Sequence, residues 1–350
     1  MRIAVQGCCH GELNKIYSKI SSQNVDLLVV CGDFQSLRNE QDMKCMAVPA
    51  KYKRMGDFQD YWLGKRKAPV LTLFIGGNHE ASNFLCERYH GGWVAPGMFF
   101  LGLSGCVKFG GLRIGGISGI YNDRHYNSGY FERLPLDMST QRSIYHTREF
   151  EVLKLSQLAS STSDAVDIFL SHEWPRRIYH YGDLPRLLRT KPFFKADVAS
   201  EELGCPGCEH LLKVLKPKRW FSAHLHCAFE ATIPHAGGAE ATSFLALDKC
   251  IPGREHLRII EVEGAVEPEL EFDTRWLAIL ALYNQKIPHS TQPHTAAVFE
   301  ESVIVDKQSE IEKQVLEGNF KIPADQAGFQ AILDRFLQDP QILTWNNNKE

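Results

Sequence analysis

No apolar run in this 350-residue chain approaches the length of a membrane span: the longest, WLAILAL at 276–282, is about a third of the ~20 residues that cross a bilayer. No secretory leader is expected either, because Arg2 passes straight into IAVQG with no apolar core behind a basic segment. No membrane association is expected, and the chain is placed in the nucleus, with the cytoplasm as a second compartment. Neither sign of charge dominates, since 39 Lys and Arg stand against 42 Asp and Glu, a formal charge of −3. That excludes the global basic field of many nucleic-acid binders, so a polyanionic substrate must be drawn by local patches or by bound metals. Internal repeats and low-complexity tracts are absent too. With no leader expected, the ten cysteines read as reduced thiols or metal ligands, not as a disulfide framework.

What the chain does contain is an ordered series of short motifs: GCCHGE at 7–12, GDF at 32–34, GGNHE at 76–80, SHEWP at 171–175 and SAHLHC at 222–227. Each follows an apolar, β-branched run (RIAV, DLLVV, VLTLFI, VDIFL and the shorter RWF), so Cys8, His10, Asp33, Asn78, His79, His172, His224 and His226 can gather at the ends of neighbouring strands. Open α/β sheets bind their ligands there. The residue types suit two metal ions and a phosphate ester. Asp33 has two oxygens able to bridge a pair of cations, and a buried carboxylate is costly unless paired or metal-bound. Cys8 and His10, two apart in an extended segment, project to one side and can grip one ion, while Cys9 points the other way into the core. Asn78 offers an amide oxygen and His79 a proton; adjacent side chains diverge, so one ligand and one acid or base is the natural division. His224 and His226 alternate across Leu225 and can serve one ion each. Thiolate and imidazole favour Zn²⁺ or Fe²⁺ over Mg²⁺, and Mn²⁺ suits a site of Asp, Asn and His. A CPGC pair, Cys205 and Cys208, is a weaker candidate for a zinc half-site or redox pair, because no second CxxC follows it.

At 350 residues and 44% hydrophobic, the chain suits one large domain with a smaller appendage, or two ordinary domains. Residues 1 to about 120 alternate strands with helices such as NKIYSKISS, the pattern of an α/β sheet with covered faces. A second sheet is expected from residues 98–119, where VKF and LRIGGIS read as a hairpin about Gly110 and Gly111. The segment from about 124 to 160 is a polar and aromatic insertion, read as a binding element over the alternative of a disordered surface excursion. After SAHLHC, the strands FEATIP, TSFLALD and LRIIEVE continue a sheet to about Glu263. A boundary follows, giving domains 1–265 and a mainly helical 266–350. Arg176 and Arg177 could touch phosphates, and Tyr179 could stack on unpaired bases beside His180 and Tyr181. Lys51, Lys53, Arg54 and the 65–67 run read as ordinary surface charge.

The series resembles the calcineurin-like metallophosphoesterases, whose usual order is DxH, GD, GNH, a lone H and GHxH. With Cys8 in place of the first aspartate and AHLH at the end, it resembles the RNA lariat debranching family within them, across about residues 1–263. The resemblance implies a two-sheet α/β sandwich flanked by helices, with the 124–160 insertion as the lariat-recognising region. It also implies two divalent ions, one held by Cys8, His10, Asp33 and His226 and the other by Asp33, Asn78, His172 and His224, with His79 as general acid. The implied reaction is hydrolysis of the 2′,5′-phosphodiester at the branch point of excised intron lariats by metal-activated hydroxide. Branched RNA is the partner, and no obligate protein partner is expected. Glu173 stands where the family has aspartate, one methylene longer. Other hydrolases on the same core, and a metal-free scaffold of the same fold, are the competing readings.

Overall fold

The computed structural model describes residues 1–160, 165–262, 268–294, 297–314 and 320–337. Its strands are β1 (Arg2–Gln6), β2 (Leu27–Val30), β3 (Thr72–Phe74), β4 (Gly92–Ala95), β5 (Met98–Phe100), β6 (Ser104–Phe109), β7 (Leu112–Ile117), β8 (Ile168–Ser171), β9 (Arg219–Ser222), β10 (Phe229–Ile233), β11 (Thr242–Ala246), β12 (Leu257–Glu261) and β13 (Leu270–Phe272). They form a six-stranded sheet ordered β12-β1-β2-β3-β5-β4 and a seven-stranded sheet ordered β10-β11-β9-β8-β7-β6-β13.

The apolar runs are continuous because both faces of the first sheet are covered. Ile3, Val5, Leu27, Val29, Leu73 and Ile75 turn one way, into a core shared with Ile114, Ile117, Leu170 and Phe221 of the second sheet. Their neighbours Ala4, Leu28, Val30 and Phe74 turn the other way, onto Leu13, Ile16, Tyr17 and Ile20 of the Leu13–Ile20 helix. That helix buries this one stripe and leaves its charged positions outside, as the spacing of NKIYSKISS predicts. The two sheets therefore sandwich a common core, and helices close the outer faces.

The hairpin of β6 and β7 pairs Phe109 with Leu112 across Gly110 and Gly111, both at positive φ. LRIIEVE behaves differently from its expectation. Instead of extending the sheet of β10 and β11, β12 crosses back and pairs antiparallel with β1, Arg2 opposite Glu261. A half-buried alternating strand carries no signal for which sheet edge it will join. Just past the expected boundary, the mainly helical part opens with β13, which pairs with β6. The proposed boundary at 265/266 itself lies outside the described residues, as do residues 338–350 of the C-terminal part. Within that part, the Thr274–Tyr283 helix is capped by Asp273, whose carboxylate also holds the buried Arg113 of β7.

The insertion is packed protein. Arg148 and Glu132 form an ion pair 2.7 Å apart with neither side chain exposed, and Tyr89, Tyr130 and Lys154 converge on the Glu151 carboxylate. A buried pair of this kind demands close packing to offset its desolvation. The alternative of a disordered excursion is overturned.

Candidate metal centre

β1, β2 and β3 run parallel in the first sheet, and β8 and β9 run parallel in the second. The turns at their C-terminal ends carry Cys8 and His10, Asp33, Asn78 and His79, His172, and His224 and His226 in that order. One half of the cluster therefore hangs from each sheet. The local geometry is not the extended alternation expected from the sequence. His10, Asp33, His224 and His226 all have left-handed backbones, with φ of 51°, 49°, 60° and 49°. Such conformations are costly for residues with a side chain and persist where surrounding structure imposes them. The side chains meet because four sharp turns aim them.

Candidate ligand atoms of Cys8, His10, Asp33 and His226 all lie within 4.8 Å of one another. His10 Nε2 and His226 Nε2 are 3.3 Å apart. Two neutral imidazoles that close present lone pairs to one point, which a cation would satisfy. Asp33 is 1% exposed and divides its oxygens: Oδ2 stands 3.5 Å from His10 Nε2, Oδ1 3.3 Å from His172 Nε2. On that second side, His172 Nε2 is also 3.2 Å from Asn78 Oδ1, and the His172 and His224 rings are 5.0 Å apart. The Cys31 carbonyl takes the His172 Nδ1 proton at 2.7 Å, which leaves the Nε2 lone pair facing the site. Gln35 does the same for His10 once its amide is turned by half a rotation. Its Nε2 sits 3.4 Å from His10 Nδ1, and its buried Oε1 otherwise lacks a hydrogen-bond partner.

Electrostatics favour positive charge here. Burial, the first cause, pushes His10 down to about 4 and His226 and His224 to about 3, so these imidazoles are neutral at pH 7. Burial opposes ionisation of Asp33, yet His172, His10 and His79 with the His79 N–H at 2.8 Å hold it well below the usual carboxylate range. Burial and then the Asp33 charge push the Cys8 thiol up, against the donated His224 N–H. Without a cation Cys8 is therefore protonated, and cation binding must expel that proton. Affinity at this cluster is expected to rise about tenfold per pH unit between pH 6 and 8, because the imidazoles are already neutral there. Calorimetry in buffers of different ionisation enthalpy should find one more proton released per chain on metal loading of the wild-type protein than of Cys8→Asp. Equal release by both would defeat the assignment.

Glycine is required at Gly77, where a Cβ would lie 2.3 Å from Asp33 Oδ1 and 2.7 Å from His172 Nε2. At Gly32, with φ of 98°, a Cβ would meet His172 Nδ1 at 2.3 Å. Both positions keep backbone against the cluster at a distance no side chain allows.

Some partners escaped the sequence reading. Glu80 is buried behind the cluster, accepting the N–H groups of Phe34, Gln35 and Gly77 at 2.7, 2.8 and 3.0 Å, so it fixes the Asp33 turn to the Asn78 turn. Burial and Asp33 push it up to about 8. Its place directly after GGNH was the available signal. Arg54 is no idle surface charge, since it donates to the His10 carbonyl at 3.2 Å and pairs with Glu12. Glu173 accepts the Tyr121 N–H at 2.6 Å, tying the SHEWP turn to the segment that leads from β7 into the insertion, and burial raises it to about 7.

Tyr179 does not suit base stacking: its side chain is fully buried, so no face is open. Arg177 is held by Glu209 at 2.9 Å and Glu201 at 3.3 Å. Arg176 lies 5.3 Å over the Tyr121 ring and donates to the Gly204 carbonyl. Cys205 and Cys208 are buried free thiols at a helix start, where Cys205 Sγ accepts the Cys208 N–H at 3.4 Å. Cys205 caps the helix, and the two thiols contribute to no cluster of three or more metal-ligating side chains among the described residues.

The calcineurin-like phosphoesterase family model matches residues 1–228, and the lariat debranching enzyme C-terminal domain model matches residues 239–348. The lariat debranching enzyme of Arabidopsis thaliana is 48% identical over 98% of this chain and 85% of its own length. Those of Homo sapiens and Xenopus laevis are 54% and 53% identical over 80% of the chain, which spans only 53% and 54% of their lengths. With both family models on one chain and a plant relative aligned almost end to end, this protein belongs to the lariat debranching enzyme family of calcineurin-like phosphoesterases.

Proposed function

We propose that this chain hydrolyses the 2′,5′-phosphodiester at the branch point of lariat RNA to give linear RNA, and that it does so in the nucleus, where excised introns arise. The observation that carries the reading is the divided Asp33 carboxylate with a cysteine at the first position, the arrangement that sets this family apart. Metallophosphoesterases act with divalent metal ions, and the residues present fit a pair. Cys8, His10, Asp33 and His226 would hold one; Asp33, Asn78, His172 and His224 would hold the other. Fe²⁺, Zn²⁺ or Mn²⁺ suits this mixture of thiolate, imidazole and oxygen donors better than Mg²⁺. Bound there, such ions polarise the phosphoryl oxygens and make hydroxide available near pH 7.

The chain's own side chains divide the remaining tasks. Asp33 holds the two halves of the site in register, one oxygen facing each. Asn78 gives an uncharged oxygen, which keeps the cluster positive toward a phosphodiester. His79 is pinned through its backbone N–H to Asp33, and its half-exposed ring lies 5.0 Å from that of His10, at the open edge where it can protonate the leaving oxygen. The deciding experiment compares two RNAs of equal length that differ only in carrying one 2′,5′ or one 3′,5′ linkage at a defined position. Cleavage restricted to the 2′,5′ bond and lost on chelation is expected. Equal cleavage of both would make this a general nuclease, and no cleavage with Fe²⁺, Zn²⁺ or Mn²⁺ would sink the proposal.

A further inference from the structure

Beside His226 the surface opens into a groove of about 270 Å³ between the Leu184–Thr190 helix and the loop from Asp248 to Glu255. Cys227, the neighbour of His226, lies in its wall. The loop is anchored to the metal centre by backbone: Cys250 N–H donates to the Cys8 carbonyl at 3.1 Å, and the Gly7 backbone sits so close that a Cβ there would meet the Asp248 carbonyl at 2.1 Å. Lys249 is thereby fixed beside the first cluster, near enough to depress His10 and His226.

Four acids and two arginines line the walls, and all four acids are engaged. Asp183 caps its helix through the Arg186 N–H, Asp248 accepts from Arg254 at 3.2 Å, and Glu230 and Glu255 are both bound to Arg258. Three cations are not. Arg186 on the wall, Lys191 just beyond the helix and Lys249 on the loop make no ion pair among the described residues. Lys191 lies near enough to Cys227 to stabilise its thiolate form, and its ammonium is 5.8 Å from the ring of Phe193, which is 69% exposed. A groove beside a metal centre, with its acids engaged, Arg186 unpaired in its wall, Lys191 and Lys249 unpaired on the adjoining helix end and loop, and an exposed aromatic ring next to Lys191, suits a single strand of nucleic acid: phosphates follow the charges and a base stacks on the ring.

We propose that this groove binds one single-stranded arm of the branched RNA, with Lys249, Arg186 and Lys191 contacting its phosphates and Phe193 stacking on a base. This rests on the function proposed above for the adjoining site. Two measurements separate them. In the first, a labelled linear oligouridylate with only 3′,5′ linkages is titrated by fluorescence anisotropy at several salt concentrations. The Arg186→Gln/Lys191→Gln protein should bind about tenfold more weakly, with a salt slope shallower by about 0.7 per cation removed. Lys108→Gln, on β6 near the opposite edge of the second sheet, should match wild type. In the second, KM for a branched RNA with long arms should rise about tenfold in the double variant at unchanged kcat, while a bare 2′,5′-linked dinucleotide is cleaved as by wild type. Equal binding by double variant and wild type, or an equal loss on the dinucleotide, would overturn the groove. If wild type cleaves neither the branched RNA nor the 2′,5′-linked dinucleotide, the proposed reaction fails, and the anisotropy result still decides the groove.

Discussion

Asp33→Asn is expected to lose phosphodiesterase activity by about three orders of magnitude or more, the consequence of withdrawing the several kcal/mol of charge stabilisation that a metal pair supplies. The substitution keeps size and shape, and its amide oxygen can still accept the His79 N–H that Asp33 Oδ1 accepts at 2.8 Å. What it removes is the second negative oxygen. In the wild-type protein Oδ2 faces His10 and Oδ1 faces His172, so one carboxylate balances both halves. Elemental analysis of the purified variant should find fewer than two ions per chain, with its circular dichroism unchanged. Full occupancy with full activity would show that Asp33 does not bridge.

His79→Ala should separate chemistry from binding in the opposite way. Loss of a positioned general acid costs ~10²- to 10⁴-fold, and kcat should fall within that range. Metal content should stay at the wild-type value, because the backbone N–H that binds Asp33 survives the substitution and the ring is absent from the cluster of converging ligand atoms. A 2′-linked substrate with a good leaving group, such as a nitrophenyl ester, needs no protonation and should recover most of the rate. Failure of that rescue, with metal intact, would assign His79 to something other than the leaving oxygen.

The parts of this site that were legible in the sequence are those encoded within a few residues. GCCHGE, GDF, GGNHE, SHEWP and SAHLHC each state a strand end and a ligand type together, so the order of motifs foretold which side chains meet. The mechanism of meeting was not legible. An extended-strand argument placed Cys8 with His10 and His224 with His226, but three of those four residues sit in left-handed turns, which polar non-glycine residues adopt only under tertiary constraint. Glu80 was in view and unassigned, because the reach of a buried carboxylate across two turns depends on three backbone N–H groups that no motif displays. Arg54 and Lys249 depend on contacts 44 and about 240 residues away along the chain, to His10 and to the Cys8 turn, and neither has a local signature. The aromatic run at 179–181 shows the reverse failure. Residue type suggested a stacking surface, and the packing of the chain put Tyr179 inside. β12 was read as a strand correctly and assigned to the wrong sheet, because period-2 alternation fixes a strand's faces and leaves its partner open.

Because Asp33 and the His10 turn hang from the first sheet while His172, His224 and His226 hang from the second, the cluster is a clasp across the seam of the sandwich. Reacting groups misplaced by about 1 Å can cost 10²-fold in rate, and the alignment of the two sheets depends on the side chains packed between them. Activity is in that sense a vernier on the seam: trimming Val29, Leu73 or Leu170, none of which ligates anything, changes how the halves mesh and reads out as lost catalysis well before the fold gives way.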